Sequence, residues 1–118
     1  VVIDSLTING QLTLGENIAD LGGLTIAYAA FQKTENAKSK TLLDGFTPQQ
    51  RFFINFAQVW RNNIRPEELK KRLKTDPHSP GKFRANGTVR NMPEFYEAFK
   101  VTKENKLYLA PEQRVEIW

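Results

Sequence analysis

The chain has 118 residues, 40% of them hydrophobic and 25% charged, which fits one globular domain or part of a larger one. It holds no cysteine, so disulfides and thiolate metal sites are excluded. The net charge of +4 is a mild positive balance. No apolar stretch approaches the roughly 18 residues that would mark a membrane span. The chain opens on Val1 rather than Met and shows no signal-peptide pattern, so it is expected to begin inside a longer polypeptide.

Val1-Val2-Ile3 and Leu6-Thr7-Ile8 are β-branched and apolar, with Asn9-Gly10 reading as a turn, but the segment is too short to build a sheet. Thr13-Leu14-Gly15-Glu16 has the Thr-x-x-Glu form of a capping box and predicts a helix running to about Lys33. Gly22 and Gly23 inside it suggest close approach of another backbone. Residues 34–45 are polar and read as a loop. Thr47 and Pro48 predict a second helix start, with Phe52, Phe53, Phe56, Val59, Trp60 and Ile64 following at helical spacing. Its wide apolar surface makes it the expected most buried helix. Pro66 opens a short helix over 67–74, in which Glu67–Lys71 and Glu68–Arg72 are favourable pairs. The prolines at 77 and 80 forbid regular structure over 75–81, and residues 82–87 lead into a further turn. Asn91 to Glu94 starts a last helix holding Phe95, Tyr96 and Phe99, and the tail is expected to be irregular but docked through apolar residues. The class is mainly α.

Glu16 and Asp20 stand four residues apart and therefore project from one helix face. Such a pair can serve a divalent metal, one carboxylate coordinating and the other holding a neighbouring ligand. Spacing alone favours the plainer reading, a capping residue at Glu16 and a solvated charge at Asp20, because helical carboxylate pairs are common. His78 is the sole histidine, which excludes an all-histidine metal site built from this chain. A sharply bent segment separates it from Arg84, and the two could together donate to a developing oxyanion. The run Lys70, Lys71, Arg72 and Lys74 reads as a solvated helix face. It lacks the interleaved aromatics of a single-strand nucleic-acid platform, so no nucleic-acid partner is expected. Asn86-Gly87-Thr88 fits the short N-glycosylation acceptor pattern.

Several segments, in order and in register, carry a family resemblance. Residues 15–23, GENIADLGG, resemble the GENIAD-x-GG segment of neprilysin-type zinc metalloendopeptidases. FTPQQ at 46–50 and FAQVW at 56–60 are similar to the family's FTPEQ and FAQVW segments. DPHSPGKFRANGT at 76–88 resembles its DPHSPGxFRVNGT segment, and Pro93-Glu94-Phe95 with Ala98-Phe99 resembles PEFxxAF. The chain closes on Trp118, as family members often close on tryptophan.

The resemblance covers nearly the whole chain and implies a specific set of roles. Glu16 matches the family's glutamate zinc ligand, and Asp20 the aspartate that orients a zinc-binding histidine. His78 matches the histidine that stabilises the oxyanion, and Arg84 the arginine that binds the substrate carbonyl beside the scissile bond. Trp60 and Ala85 fall where the family lines its S1′ pocket, with Ala85 in place of a larger aliphatic residue. Glu16 would then have to leave the capping box. The implied fold is the helical C-terminal portion of a thermolysin-like (gluzincin) catalytic domain, residues 1–118, without the HExxH helix. That motif, with two histidine ligands and the catalytic glutamate, lies upstream in the family. The piece alone is therefore expected to be inactive and to await the N-terminal remainder of the enzyme. The implied cofactor is one zinc ion, the substrates are short peptides, and the location is extracytoplasmic. The lack of cysteine fits a bacterial member better than an animal one. Exposed apolar surface on the Glu16 helix is expected to invite self-association. The alternative is a non-catalytic helical binding module of the same ancestry.

Overall fold

The computed structural model describes residues 1–117, so the expectation on Trp118 lies outside the described residues. In chain order the elements are α1 (Gly10–Gln32), α2 (Glu35–Lys38), α3 (Pro48–Val59), α4 (Pro66–Thr75), α5 (Gly81–Val89) and α6 (Pro93–Phe99), with a 3₁₀ turn at Pro111–Gln113. The expectation of a mainly α chain holds. The β-branched start contributes only an isolated bridge between Ile3 and Leu6.

α1 begins earlier than its sequence predicts. Asn9 is the N-cap, not part of a turn, and its side chain accepts from the Leu12 backbone N–H at 3.1 Å. Thr13 therefore lies inside the helix, where its own N–H donates to the Asn9 carbonyl. The Thr13–Glu16 capping box does not form, because Asn9 already satisfies the first turn. Glu16 is thus free of the cap.

α3 starts as expected. The Thr47 side chain accepts from the Gln50 N–H, and the Gln50 side chain accepts from the Thr47 N–H in return. This reciprocal box and Pro48 at the first position fix the start strongly. The helix ends at Val59, with Trp60 as C-cap, so Ile64 lies beyond it. It is not the most buried helix. α1 buries Thr13, Leu21, Gly22, Leu24 and Tyr28, whereas α3 buries only Pro48 and Phe53 and leaves Val59 exposed. Within the loop expected at 34–45, Thr34 caps the short α2, whose Ala37 is buried.

The largest departure is α5, a helix over residues 81–89 where the sequence predicts no helix, only a stretch leading into a turn. Pro80 sets its entry, and the Pro80 carbonyl accepts from Phe83 and Arg84 N–H. Gly81, Ala85, Thr88 and Val89 form a buried stripe at helical spacing. Burial of that stripe offsets the ~1 kcal/mol that Gly87 costs inside a helix. The close approach inferred at Gly22-Gly23 divides: Gly22 is buried, whereas a β-carbon on Gly23 would meet nothing within 4 Å.

The core joins Leu21, Leu24 and Tyr28 of α1 to Phe53 of α3, Val89 of α5 and Met92. Tyr28 stacks on Phe53 at 5.3 Å, and Phe53 meets Phe95 of α6 edge-on at 5.5 Å. The tail docks as expected. The Tyr96 hydroxyl donates to the Arg90 carbonyl and accepts from the Leu109 N–H, both at 2.8 Å. Arg114 lies 3.7 Å over the Tyr96 ring, and Leu107 and Ile117 pack against the core. α1 and α5 cross against one another, which brings the first and the last third of the chain to one place.

Candidate active site

Position 16 and position 20 lie one helical turn apart on the face of α1 that meets the segment 76–84. Asp20 is engaged by Arg84 of α5 through two parallel bonds: Nε donates to Oδ2 and Nη2 to Oδ1, each at 2.6 Å. Both side chains are largely buried, at 11% and 13% exposure. This fork-to-fork arrangement is the strongest form of charge-assisted pairing. The Asp20 carboxylate raises the Arg84 pKa, so the guanidinium is charged at every working pH. A face of the guanidinium lies 3.9 Å from the Trp60 ring centroid, while its edge binds Asp20.

Glu16 and His78 occupy the open side of this pair. Glu16 Oε2 stands 3.2 Å from His78 Nε2 and 3.9 Å from Arg84 Nη2. Both side chains are close to half exposed, at 41% and 45%. The sequence reading missed Asp76. Its Oδ1 accepts from the His78 backbone N–H at 2.9 Å and lies 2.7 Å from His78 Nδ1. The backbone bond, and then the ring, hold the Asp76 carboxyl below the usual carboxylate range. The available signal was the short Asp-x-His spacing, since an Asp side chain commonly accepts from a backbone N–H two residues on.

Glu16, Asp20, His78 and Arg84 thus converge with Trp60. Trp60, His78 and Arg84 share a cavity of about 210 Å³ with Asp76 and Arg72. Ala85 does not share it. It is buried and lines a separate apolar cavity with Phe53, Val89, Phe95 and Phe99. Asn86 and the buried Thr88 of the glycosylation pattern also sit on α5.

The Arg84 guanidinium and the His78 ring both face the open Glu16 carboxylate. Among the described residues no group of three or more His, Cys, Asp or Glu side chains could hold a metal ion. Glu16, with one oxygen near His78 and the side chain partly open, fits one corner of a metal site rather than a whole one.

A buried ion pair therefore stands behind an open glutamate that a histidine from a bent loop faces. The chain belongs to peptidase family M13, whose model matches residues 2–115. It is 49% identical over 115 residues to human neprilysin, and 44% identical over 114 residues to mouse endothelin-converting enzyme 1. Each alignment spans 94% of this chain but 15% of the relative. The crystal structure of Mycobacterium tuberculosis zinc metalloprotease ZMP1 with an inhibitor superposes with a TM-score of 0.92 at 47% identity, over 99% of this chain and 18% of that one. The chain therefore spans under a fifth of the length of these relatives.

Proposed function

We propose that this chain is the C-terminal part of the catalytic domain of a zinc-dependent endopeptidase that hydrolyses short peptides, and that it is inactive without the remainder of that enzyme. The observation that carries the reading is the meeting of Glu16 and His78 at 3.2 Å beside the Asp20–Arg84 pair, in a chain of this family. In this reading Glu16 supplies one carboxylate to zinc, and two histidines from outside this chain complete the donor set. Zinc, when bound, polarises the scissile carbonyl and makes a water nucleophilic near neutral pH.

The residues of this chain then have separable tasks. His78 donates to the carbonyl oxygen as negative charge develops there, an interaction stronger in the transition state than in the bound substrate. Arg84, held flat between Asp20 and Trp60, donates to a neighbouring substrate carbonyl and orients the peptide. Asp20 fixes Arg84, and each of its oxygens keeps a lone pair for a histidine ligand from outside. Trp60 walls the cavity in which a substrate side chain would sit. Ala85 would shape that space only through the packing of α5. An extracytoplasmic location belongs to the same reading. Among the described residues no helix is long and apolar enough to cross a membrane.

The test uses the intact polypeptide that carries these residues. Glu16→Gln is expected to lose bound zinc, measured by metal analysis after dialysis. His78→Phe is expected to keep the metal and lose about 10²–10³ in kcat. Unchanged metal content in the first variant removes Glu16 as a ligand. Loss of metal in the second removes His78 as an oxyanion donor. A wild type with neither metal nor peptidase activity leaves the binding-module reading.

A further inference from the structure

Each of the two residues placed at the reacting centre is followed by a residue that bonds to the other's element. Asn17 follows Glu16 and Ser79 follows His78. Ser79 Oγ donates to Asn17 Oδ1 at 2.9 Å. Asn17 Nδ2 donates in turn to Thr13 Oγ1 at 3.3 Å, and Thr13 Oγ1 donates to the Asn9 carbonyl at 3.1 Å. Ser79 and Thr13 are 5% and 3% exposed, so both hydroxyls depend on this chain of bonds. It ends on the cap of α1 and is anchored there.

The loop that carries His78 has few other holds. Pro77 and Pro80 donate no hydrogen bond. Asp76 binds His78 from within the same loop and does not tie it to α1. The contact between Glu16 and His78 cannot set their spacing if Glu16 coordinates a metal, because that oxygen is then engaged elsewhere. The Asp20–Arg84 pair fixes α5 one turn further along α1.

We infer that the Asn17–Ser79 hydrogen bond is a positioning latch that sets the distance between the Glu16 carboxylate and the His78 imidazole for the reaction proposed above. The inference rests on the assignment of Glu16 and His78 to metal and oxyanion. Asn17 and Ser79 touch neither substrate nor metal. They hold the histidine-bearing loop in register with the glutamate-bearing helix. Misplacement of a donor by about 1 Å is enough to cost on the order of 10²-fold in rate.

The experiment is a double-mutant cycle on the intact polypeptide with Asn17→Ala, Ser79→Ala and both together. Kinetics, zinc content and inhibition by a phosphonamidate peptide, a tetrahedral mimic of the transition state, are measured for each. Each single variant is expected to lose about ten- to a hundredfold in kcat. KM and zinc content are expected to stay near wild type. Affinity for the phosphonamidate should fall in proportion to kcat/KM, which a purely structural role would not produce. The double variant should be no worse than the worse single one. Ser79→Thr, which keeps the hydroxyl, should restore most of the rate. Unchanged kcat in Asn17→Ala overturns the latch, and so do losses that multiply in the double variant. Asn17 is exposed, so its replacement leaves a folded protein even if Ser79→Ala does not. His78→Phe, run alongside, separates the two levels. Full kcat in that variant overturns the assignment beneath, whereas a rate loss there with none in Asn17→Ala overturns the latch alone.

Discussion

Asp76 reaches His78 through both the backbone and the ring, so one carboxylate fixes the loop and aims the imidazole. Because the Asp76 pKa is lowered on folding, its contribution is fully present above the ordinary carboxylate value. It is lost as pH falls through the lowered folded value. The gap in thermal stability between wild type and Asp76→Asn should therefore close as pH falls below the ordinary carboxylate range. A constant gap would mean that shape, not charge, holds the loop. In the intact polypeptide Asp76→Ala is expected to lower kcat about tenfold with zinc retained, as a group that acts through His78 should. At this scale the sequence was legible in which residues come together. Glu16, Asp20, His78 and Arg84 do converge. It was misleading at Thr13, because a capping pattern does not show that Asn9, four residues earlier, is an equally good cap. Asp76 escaped notice because its importance lies in one rotamer and one backbone bond.

Single elements show where the local code suffices. Thr47, Pro48 and Gln50 specify the start of α3 by themselves, and the structure follows them atom for atom. α5 is different. Its residues include two glycines and an Asn-Gly pair, so local propensity opposes a helix. The helix exists because α1 and the turn after α3 cover one side of it. Gly81 shows how closely. A β-carbon there would lie 2.5 Å from the Trp60 carbonyl oxygen, a backbone atom unable to swing aside. Gly81→Ala is expected to push α5 away from Trp60 and to cost about 1–3 kcal/mol, the usual penalty of overpacking. Chemical denaturation would measure it. A variant as stable as wild type would show that the 60–62 turn yields freely. Since Arg84 rides on α5 and stacks on Trp60, the same variant should also loosen the Asp20 pair.

Seen whole, α1 is the element that this chain leaves unfinished. Over its 23 residues Glu16 and Asp20 are the only charged side chains, yet Leu12, Leu14, Ile18 and Ile26 are exposed. A helix apolar on every side belongs inside a larger body, in keeping with relatives several times longer than this chain. The isolated chain is expected to self-associate through α1. Ile18→Lys with Ile26→Lys should lower the sedimentation-derived mass at a concentration where the wild type is oligomeric. If both remain monomeric, the exposed face is tolerated in water. The fold class and the mainly α architecture were open to sequence reading. Which helix is buried was not, because burial depends on what the other elements cover.

The Asp20–Arg84 pair also has a consequence in time. Its partners are 64 residues apart in the chain. At a synthesis rate of about 5–20 residues per second, Asp20 leaves the ribosome some 3–13 seconds before Arg84 does. Throughout that interval the carboxylate lacks its Arg84 partner, and α1 has no α5 to lie against. Closing so long a loop costs chain entropy that only the finished contact repays. The site therefore cannot assemble until Arg84 has emerged, and until then the face of α1 that α5 covers lies open as well.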